Sequence, residues 1–248
     1  MVNVRGRWAL ITGASRGIGR LTAKFMAEKG CNLILHSRKL EHTKELVDEI
    51  RAMGVSAYAV EAELSDLSAV KKMLEKIDEL NVPVDIVLNN AGLQIAYRTE
   101  YFTTPDTDYT VSFNVNTIAP ALICYHFMPK MIERGFGRIV NTTSGIRLEP
   151  QQAGYSASKA ALDKITIDLG STVQGTDVMI NLTDPGWCRT DLGGSHAPNA
   201  PESAIPGIVV AAFVDDKKSG RFLGAQSFAG MNLEDGVKKA EAQFDSPY

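Results

Sequence analysis

Short apolar runs alternate with longer amphipathic segments along this chain of 248 residues. The apolar runs have the length of buried strands, and the segments between most of them repeat their apolar positions with helical spacing. Strands are predicted at residues 9–12, 32–36, 57–61, 86–89, 138–141, 179–182 and 221–223. This βαβ alternation predicts an α/β fold with a mostly parallel, seven-stranded sheet and helices on both of its faces.

Local signals mark several ends of these elements. Gly30 and Gly54 stand where helices should end, and Ser65-Asp66 precedes an apolar helical repeat as an N-cap. Prolines and glycines crowd the stretch between the sixth and seventh strands. Residues 187–206 are therefore expected to form a long irregular loop, and loops of that length are commonly functional.

Composition and charge narrow the classes of function. The net charge of −3 and the pI of about 5.9 give no overall attraction to nucleic acid or to a membrane surface. The three cysteines and four histidines lack metal-ligand spacing, so we expect reduced thiols, structural or surface histidines and no metal. Neither a membrane span nor a signal peptide is evident, which predicts a cytoplasmic location. No linker or repeat divides residues 1–248, which are predicted to form one domain.

Tyr155 and Lys159 give the first chemical signal. They lie four residues apart in a helical segment, and positions i and i+4 share one face of a helix. The pKa of a free tyrosine is about 10, and a fixed positive charge nearby lowers it by stabilising the phenolate. Tyr155 would then serve as a general acid or base toward a carbonyl oxygen. The same spacing also occurs in solvated pairs, so its meaning depends on the rest of the chain.

A glycine-rich segment, residues 12–19 (TGASRGIG), follows the first predicted strand and opens a helical pattern. Gly13 permits a tight turn, Gly17 lets backbone N–H groups approach phosphates, and Gly19 lets the helix pack closely on the strand. The helix N-terminus then faces the anion. The segment is predicted to bind the pyrophosphate of a dinucleotide.

Five ordered motifs resemble the classical short-chain dehydrogenase/reductase family. They are residues 12–19, Asn89-Asn90-Ala91-Gly92, Asn116, Ser144 and Tyr155-x-x-x-Lys159. The resemblance extends from about Gly6 to Thr190 and is weaker beyond. It implies a doubly wound Rossmann fold that binds NAD or NADP and interconverts alcohols and carbonyls by hydride transfer.

The resemblance also implies a cofactor site. Glu63 and Leu64 stand where the family usually has Asp-Val beside the adenine, and Pro185, Gly186 and Thr190 match the segment that frames the nicotinamide. The implied cofactor-binding residues are Gly13, Ser15, Arg16, Gly17, Ile18, Gly19, Ser37, Arg38, Glu63, Leu64, Asn90, Ala91, Gly92, Tyr155, Lys159, Pro185, Gly186 and Thr190.

The implied catalytic residues are Asn116, Ser144, Tyr155 and Lys159. Ser144 would hydrogen-bond the substrate oxygen, Tyr155 would exchange its proton, and Lys159 would bind the nicotinamide ribose and lower the pKa of Tyr155. Asn116 would kink its helix and hold a water beside Lys159, unless it only pairs with nearby backbone. Ser144 lies eleven residues before Tyr155, two fewer than is usual in the family, so Thr142 is a second candidate for the serine's role.

The residues after the second predicted strand indicate which dinucleotide is bound. An NAD-binding Rossmann unit usually has an acidic residue about 20 positions beyond the glycine turn. This chain has Ser37 and Arg38 there. Ser37 would not repel a 2′-phosphate, and Arg38 and Arg16 would pair with it, although two solvated arginines would leave the same pattern. NADP is therefore expected rather than NAD.

The expected function is that of an NADP(H)-dependent oxidoreductase for a small-molecule carbonyl or alcohol, with Tyr155 as proton donor and acceptor. The alternatives are a redox-silent dinucleotide-sensing or regulatory protein and an isomerase or dehydratase on the same fold. The complete proton-transfer set favours the oxidoreductase, because a sensor does not need it. The family resemblance implies a homodimer or homotetramer, and residues 147–152 and 187–206 would select the substrate.

Overall fold

The computed structural model describes residues 1–243, and its centre is a seven-stranded sheet with the order β3-β2-β1-β4-β5-β6-β7. Its strands are β1 (Trp8–Ile11), β2 (Asn32–Ser37), β3 (Ala57–Glu61), β4 (Val84–Asn89), β5 (Gly137–Thr142), β6 (Val178–Asp184) and β7 (Phe222–Gly224). All neighbouring strands are parallel. The order runs outward in both directions from β1 and β4, as in a doubly wound Rossmann sheet. The predicted fold class is confirmed.

Helices cover both faces of the sheet. Within the described residues the α-helices are α1 (Gly17–Glu28), α2 (Lys44–Ala52), α3 (Leu67–Glu79), α4 (Asp106–Phe113), α5 (Ala119–Arg134), α6 (Ala153–Ser171) and α7 (Leu233–Ala242). Alternate strand residues point to opposite faces, so Ile11 and Leu33 enter one apolar core while Leu10 and Ile34 enter the other. None of these helices is long and apolar enough to cross a membrane.

Strand ends differ from the predicted ones by one or two residues. The prediction for β3 was correct, whereas β4 begins at Val84 and β6 continues to Asp184. Apolar character marks the middle of a strand, but hydrogen-bond pairing sets its ends. Thr183 and Asp184 are polar and still pair with Leu223 and Gly224 of β7.

The predicted helix ends are in place. Asp66 is the N-cap of α3, and its Oδ1 accepts hydrogen bonds from the N–H groups of Ser68 at 2.9 Å and Ala69 at 3.3 Å. Gly30 and Gly54 follow the C-termini of α1 and α2.

The stretch predicted as a long loop, residues 187–206, is irregular except for one 3₁₀ turn at Pro201–Ala204. It closes on itself through an isolated bridge between Cys188 and Asn199. The Asn199 side chain also donates to the Trp187 carbonyl at 3.0 Å. This loop therefore has internal hydrogen bonds that hold its two arms together.

His36 supports the glycine-rich turn from the end of β2. The Gly13 N–H donates to His36 Nδ1 at 3.3 Å, and Nε2 lies 3.1 Å from the Ala62 carbonyl, so Nε2 carries the proton. Burial lowers the pKa of His36 to about 4. The imidazole is therefore neutral at physiological pH. Its Nδ1 accepts a hydrogen bond from the glycine-rich turn that follows β1.

Arg221 fastens the C-terminal part of the chain to the sheet. Its buried guanidinium donates two hydrogen bonds of 2.8 Å to the Asp216 carboxylate and one of 3.1 Å to the Ala240 carbonyl of α7. Its backbone N–H donates to Asn181 Oδ1 of β6 at 3.0 Å. Removing one member of a buried ion pair leaves the other uncompensated, which is strongly destabilising.

We expect Arg221→Met to lower the free energy of unfolding by about 3–5 kcal/mol, because Asp216 would lose its buried partner. The matched control is Lys238→Met, which removes an exposed pair with Glu234 on α7 and should leave the stability nearly unchanged. Urea denaturation followed by circular dichroism measures both. Equal losses in the two variants would contradict the role given to Arg221.

The lowered pKa of His36 predicts that the stability of the fold depends on pH. Its pKa falls from 6.5 to about 4 on folding, so the unfolded chain binds a proton that the folded chain does not over this range. The contribution of His36 is complete above pH 6.5 and is lost toward pH 4, by at most about 1.4 kcal/mol per pH unit. His36→Gln should remove this part of the pH dependence, and His42→Gln, at an exposed position, should not. Urea unfolding at several pH values tests this, and an unchanged slope in His36→Gln would refute it.

Candidate active site

A cleft of about 650 Å³ opens at the carboxyl ends of the central strands, where ligands bind in doubly wound sheets. All of the cofactor residues predicted from the sequence line it except Gly186. The lining residues that were not in that set are His36, Leu93, Gln94, Val115, Thr142, Thr143, Arg189, Asp191 and Leu192. Some of these residues directly follow a predicted motif, as Leu93 follows Gly92 and Asp191 follows Thr190. Their position next to a motif could have predicted them.

The floor of the cleft is bare backbone from the loops after β1 and β4. Gly13 has a φ of +68°, and a Cβ on it would lie 2.9 Å from Ala91 Cα, so a side chain has no room there. Thr12 joins the two loops, because its hydroxyl accepts from the Ala91 N–H at 3.0 Å and its carbonyl accepts from Asn90 Nδ2 at 3.2 Å. The first turn of α1 contains no acidic residue. This arrangement fits the pyrophosphate of a dinucleotide.

The rim of the cleft carries the charged residues of the predicted site. Arg38 is exposed there, next to the buried Ser37. Arg16 forms an ion pair of 2.7 Å with Asp191 across the mouth of the cleft, and both side chains are about two-thirds exposed. Glu63 accepts a hydrogen bond from the Ser65 N–H at 3.1 Å. The sequence did not indicate these protein partners of Arg16 and Glu63.

Of the predicted catalytic residues, Tyr155 and Lys159 line the cleft, whereas Ser144 and Asn116 do not. Tyr155 lies in the first turn of α6 and is 8% exposed, and Ser144 lies in the loop after β5. The Ser144 hydroxyl lies near the phenol and favours its ionised form. Its oxygen also accepts from the Ile146 N–H at 3.2 Å. Of the two candidates for the serine's role, Ser144 is therefore the one that contacts Tyr155.

Lys159 lies one turn further along α6 and is buried. Its Nζ donates to the Thr142 carbonyl at 2.8 Å and stands 6.0 Å from the centre of the Tyr155 ring. Burial lowers the pKa of Lys159 to about 8, against the carboxylates of Asp163 and Asp184, which favour the charged form. Thr142 thus contributes its backbone oxygen to the site.

The pKa of Tyr155 departs from the sequence prediction. Lys159 was expected to lower it, but the pKa is raised, first by burial and then by the negative charge of Asp184, with only the Ser144 hydrogen bond acting in the other direction. Desolvation disfavours the phenolate, and the Lys159 ammonium is held at the Thr142 carbonyl. Tyr155 is therefore a protonated phenol at neutral pH.

Asn116 lies in a π-helical turn, Asn114–Ile118, between α4 and α5. Its side chain accepts from the Leu93 N–H and donates to the Leu93 carbonyl, both at 2.8 Å, and donates to Ser158 Oγ at 3.0 Å. These bonds fix the loop after β4 and the part of α6 that carries Lys159. The sequence left two roles open for Asn116, which were to hold a water beside Lys159 or to pair with nearby backbone. The hydrogen bonds to Leu93 are of the second kind.

Residues after β6 close one side of the cleft. Pro185 and Thr190 line it, and the Thr190 methyl lies 3.3 Å from the position of a Cβ on Gly17. Gly186 faces away, because a Cβ on it would meet the Gln226 side chain at 2.8 Å. The predicted segment thus adjoins the glycine-rich turn through Thr190.

The arrangement places a hydroxyl pair and a buried ammonium beside a dinucleotide-sized cleft. A phenol that is hydrogen-bonded to a serine can transfer a proton to an oxygen placed next to both. Within residues 1–243 no group of three or more His, Cys, Asp and Glu side chains is arranged to hold a metal ion.

Comparison with known proteins gives the family. A model of the short chain dehydrogenase family matches residues 7–200. A short chain dehydrogenase of Pseudocercospora fijiensis is 32% identical over 207 residues, which cover 82% of this chain and 64% of that protein. A short-chain type dehydrogenase/reductase of Picea abies is 33% identical over 196 residues, which cover 75% of this chain and 72% of that protein.

Solved structures agree with this result. The NADP-bound 3-oxoacyl (acyl-carrier-protein) reductase of Agrobacterium tumefaciens C58 has a TM-score of 0.72 and 28% identity, covering 92% of this chain and 86% of that one. A metagenomic short-chain oxidoreductase in complex with NADP has a TM-score of 0.68 and 28% identity, covering 75% of this chain and 84% of that one. The chain therefore belongs to the short-chain dehydrogenase family of oxidoreductases.

Proposed function

We propose that this protein is an NADP(H)-dependent oxidoreductase that interconverts a small-molecule carbonyl and its alcohol, with Tyr155 as the proton donor and acceptor. The observation that carries the proposal is that Tyr155, with the Ser144 hydroxyl near its phenol, lines the same cleft as the residues predicted to bind a dinucleotide. A redox-silent dinucleotide-binding protein would gain nothing from placing Tyr155 and Ser144 near the buried Lys159.

Tyr155 and its neighbours have different roles in proton transfer. Because burial raises the pKa of Tyr155, the phenol carries its proton at neutral pH and can give it to a substrate oxygen during reduction. The Ser144 side chain then stabilises the phenolate that remains. Oxidation of the alcohol uses the same groups in reverse. A bound nicotinamide dinucleotide supplies or accepts the hydride.

The choice of NADP rests on the rim of the cleft. Ser37 ends β2 and Arg38 follows it, and neither is an acidic residue that would repel a 2′-phosphate. Arg38 and Arg16 supply positive charge at this end. Both of the solved relatives described above contain NADP, which agrees with this choice.

A homodimer or homotetramer is the assembly that we propose. Tyr109, Ile118 and Tyr125 are large apolar side chains that remain exposed along α4, the π-helical turn and α5. Covering them with a second copy of the chain would remove this surface from water. The cytoplasmic location stays a prediction from the sequence, and the three cysteines are all buried free thiols.

We expect Tyr155→Phe to lower turnover by about 10²–10⁴-fold while leaving cofactor affinity nearly unchanged, because only the proton donor is lost. A screen of NADPH oxidation with aldehydes, ketones, quinones, steroids and sugars would first identify a substrate. Steady-state kinetics and cofactor titration then measure both quantities in the variant.

Two controls accompany this experiment. Tyr109→Phe removes a hydroxyl from an exposed tyrosine of α4 and should leave turnover unchanged. Ser144→Ala should lower turnover more than Thr142→Ala, because Ser144 contacts the phenol whereas Thr142 contributes its backbone carbonyl. Turnover close to that of the unmodified protein in Tyr155→Phe would disprove the assignment.

Cofactor preference gives a separate prediction. A hydrogen bond to a charged group contributes about 1.5–3 kcal/mol, so each arginine should favour NADP over NAD by roughly one to two decades before screening. The double variant Ser37→Asp, Arg38→Ala should therefore reverse the preference in kcat/KM. Lys39→Ala, which removes the neighbouring exposed charge outside the cleft lining, should keep it. An unmodified protein that uses NADH as well as NADPH would rule this reading out.

A further inference from the structure

Asp184 ends β6 at the point where β5 and β6 separate. The Thr143 N–H still donates to the Thr183 carbonyl at 2.8 Å, as expected in a parallel ladder. Two residues further on, the Gly145 N–H donates to Asp184 Oδ2 at 3.0 Å. The Asp184 carboxylate thus accepts the hydrogen bond of the Gly145 N–H at the point where backbone pairing between β5 and β6 ends.

The second oxygen of Asp184 binds the other loop. Asp184 Oδ1 accepts from the Gly186 N–H at 2.9 Å. In a continued ladder the next acceptor would be the Pro185 carbonyl, but that group accepts from Gln226 Nε2 at 2.8 Å. One carboxylate therefore joins the loop that carries Ser144 to the turn formed by Pro185 and Gly186.

The contact between Asp184 and the Ser144 loop is close. A Cβ on Gly145 would lie 3.0 Å from Asp184 Oδ2, so a side chain would push the carboxylate away. Ser144 precedes this glycine, and its hydroxyl lies near the Tyr155 phenol. The position of the Ser144 hydroxyl thus depends on the hydrogen bond that Asp184 makes to the next residue.

Asp184 also acts through its charge. Its negative charge raises the pKa of Tyr155, Lys159, Asp163 and Cys188, although burial is the larger influence on each. Tyr155, Lys159 and Asp163 belong to α6, and Cys188 follows β6. Of these four groups, Tyr155 and Lys159 line the cleft.

We propose that Asp184 is a positioning residue of the proton-transfer site: its carboxylate clamps the Ser144 loop to the Pro185–Gly186 turn and sets a fixed negative charge beside Tyr155. This inference rests on the proposed function. The clamp keeps the Ser144 hydroxyl near the phenol, and the charge adds to burial in favouring the protonated phenol, which is the form that reduction requires.

The test measures the ionisation of Tyr155 in the full chain without added cofactor. The protein is labelled with carbon-13 tyrosine and titrated by NMR, and Tyr155→Phe assigns the signal. In Asp184→Asn the phenol should ionise at lower pH than in the unmodified protein, because the negative charge is gone. Asp184→Ser serves the same purpose if the asparagine amide is not tolerated next to the Gly145 N–H. The matched control is Asp168→Asn, which removes an exposed carboxylate from the same helix, α6, and should leave the titration unchanged.

Steady-state kinetics of two variants distinguish the effect of the Asp184 hydrogen bonds from the effect of its charge. Asp184→Ala loses the charge and both hydrogen bonds, and we expect kcat to fall by about 10²-fold with little change in KM, as for a misplaced catalytic group. Asp184→Asn keeps one acceptor and should lose less. In Asp184→Asn the kcat for reduction should also decline at lower pH than in the unmodified protein, because the phenol loses its proton earlier.

The two proposals fail in different ways. If the unmodified protein turns over no substrate, the proposed function fails, while the titration still decides the role of Asp184. If turnover is found but Tyr155 ionises at the same pH in Asp184→Asn and in the unmodified protein, the role of Asp184 is overturned and the function stands.

Discussion

The site depends on one constraint, which is the pairing of backbone polar groups where parallel strands part. At the carboxyl edge the ladder ends, and the N–H and C=O groups that it no longer pairs need other partners. Thr12 accepts from Ala91, His36 accepts from Gly13, and Asp184 accepts from the loops after β5 and β6. Lys159 donates to the Thr142 carbonyl. The side chains that complete the fold at this edge are therefore the same ones that shape the cleft.

This constraint also sets the charge states of the site. Groups that satisfy buried backbone are themselves removed from water, and desolvation favours their neutral forms. Burial lowers the pKa of His36 to about 4 and that of Lys159 to about 8, and it raises that of Asp163 to about 6. The raised pKa of Tyr155 follows the same rule. In this structure burial outweighs the single charge pair, Tyr155 and Lys159, from which the chemistry was first inferred.

The sequence predicted those parts of the molecule that depend on local spacing. Apolar periodicity located all seven strands, and the glycine-rich turn and Asp66 lie where their local signals placed them. Contacts between distant segments were not predictable in this way. The Asp184 carboxylate bonds to Gly145 across 39 residues of chain, and its own strand was predicted to end two residues before it. Apolarity does not report which polar residue will complete a ladder, because that depends on where the neighbouring strand diverges.

Arg16 also makes a contact with a distant segment, because it forms an ion pair with Asp191. The sequence marks Arg16 as a partner for a 2′-phosphate, and in the structure it pairs with Asp191 instead. Both side chains are largely exposed, and an exposed ion pair contributes at most about 1 kcal/mol. A charge-assisted hydrogen bond to a phosphate contributes about 1.5–3 kcal/mol, so a dianionic group at the rim outcompetes a single screened carboxylate. Asp191 therefore reduces the contribution that Arg16 would make to binding a 2′-phosphate but does not cancel it, and Arg38 supplies the second positive charge at the same rim.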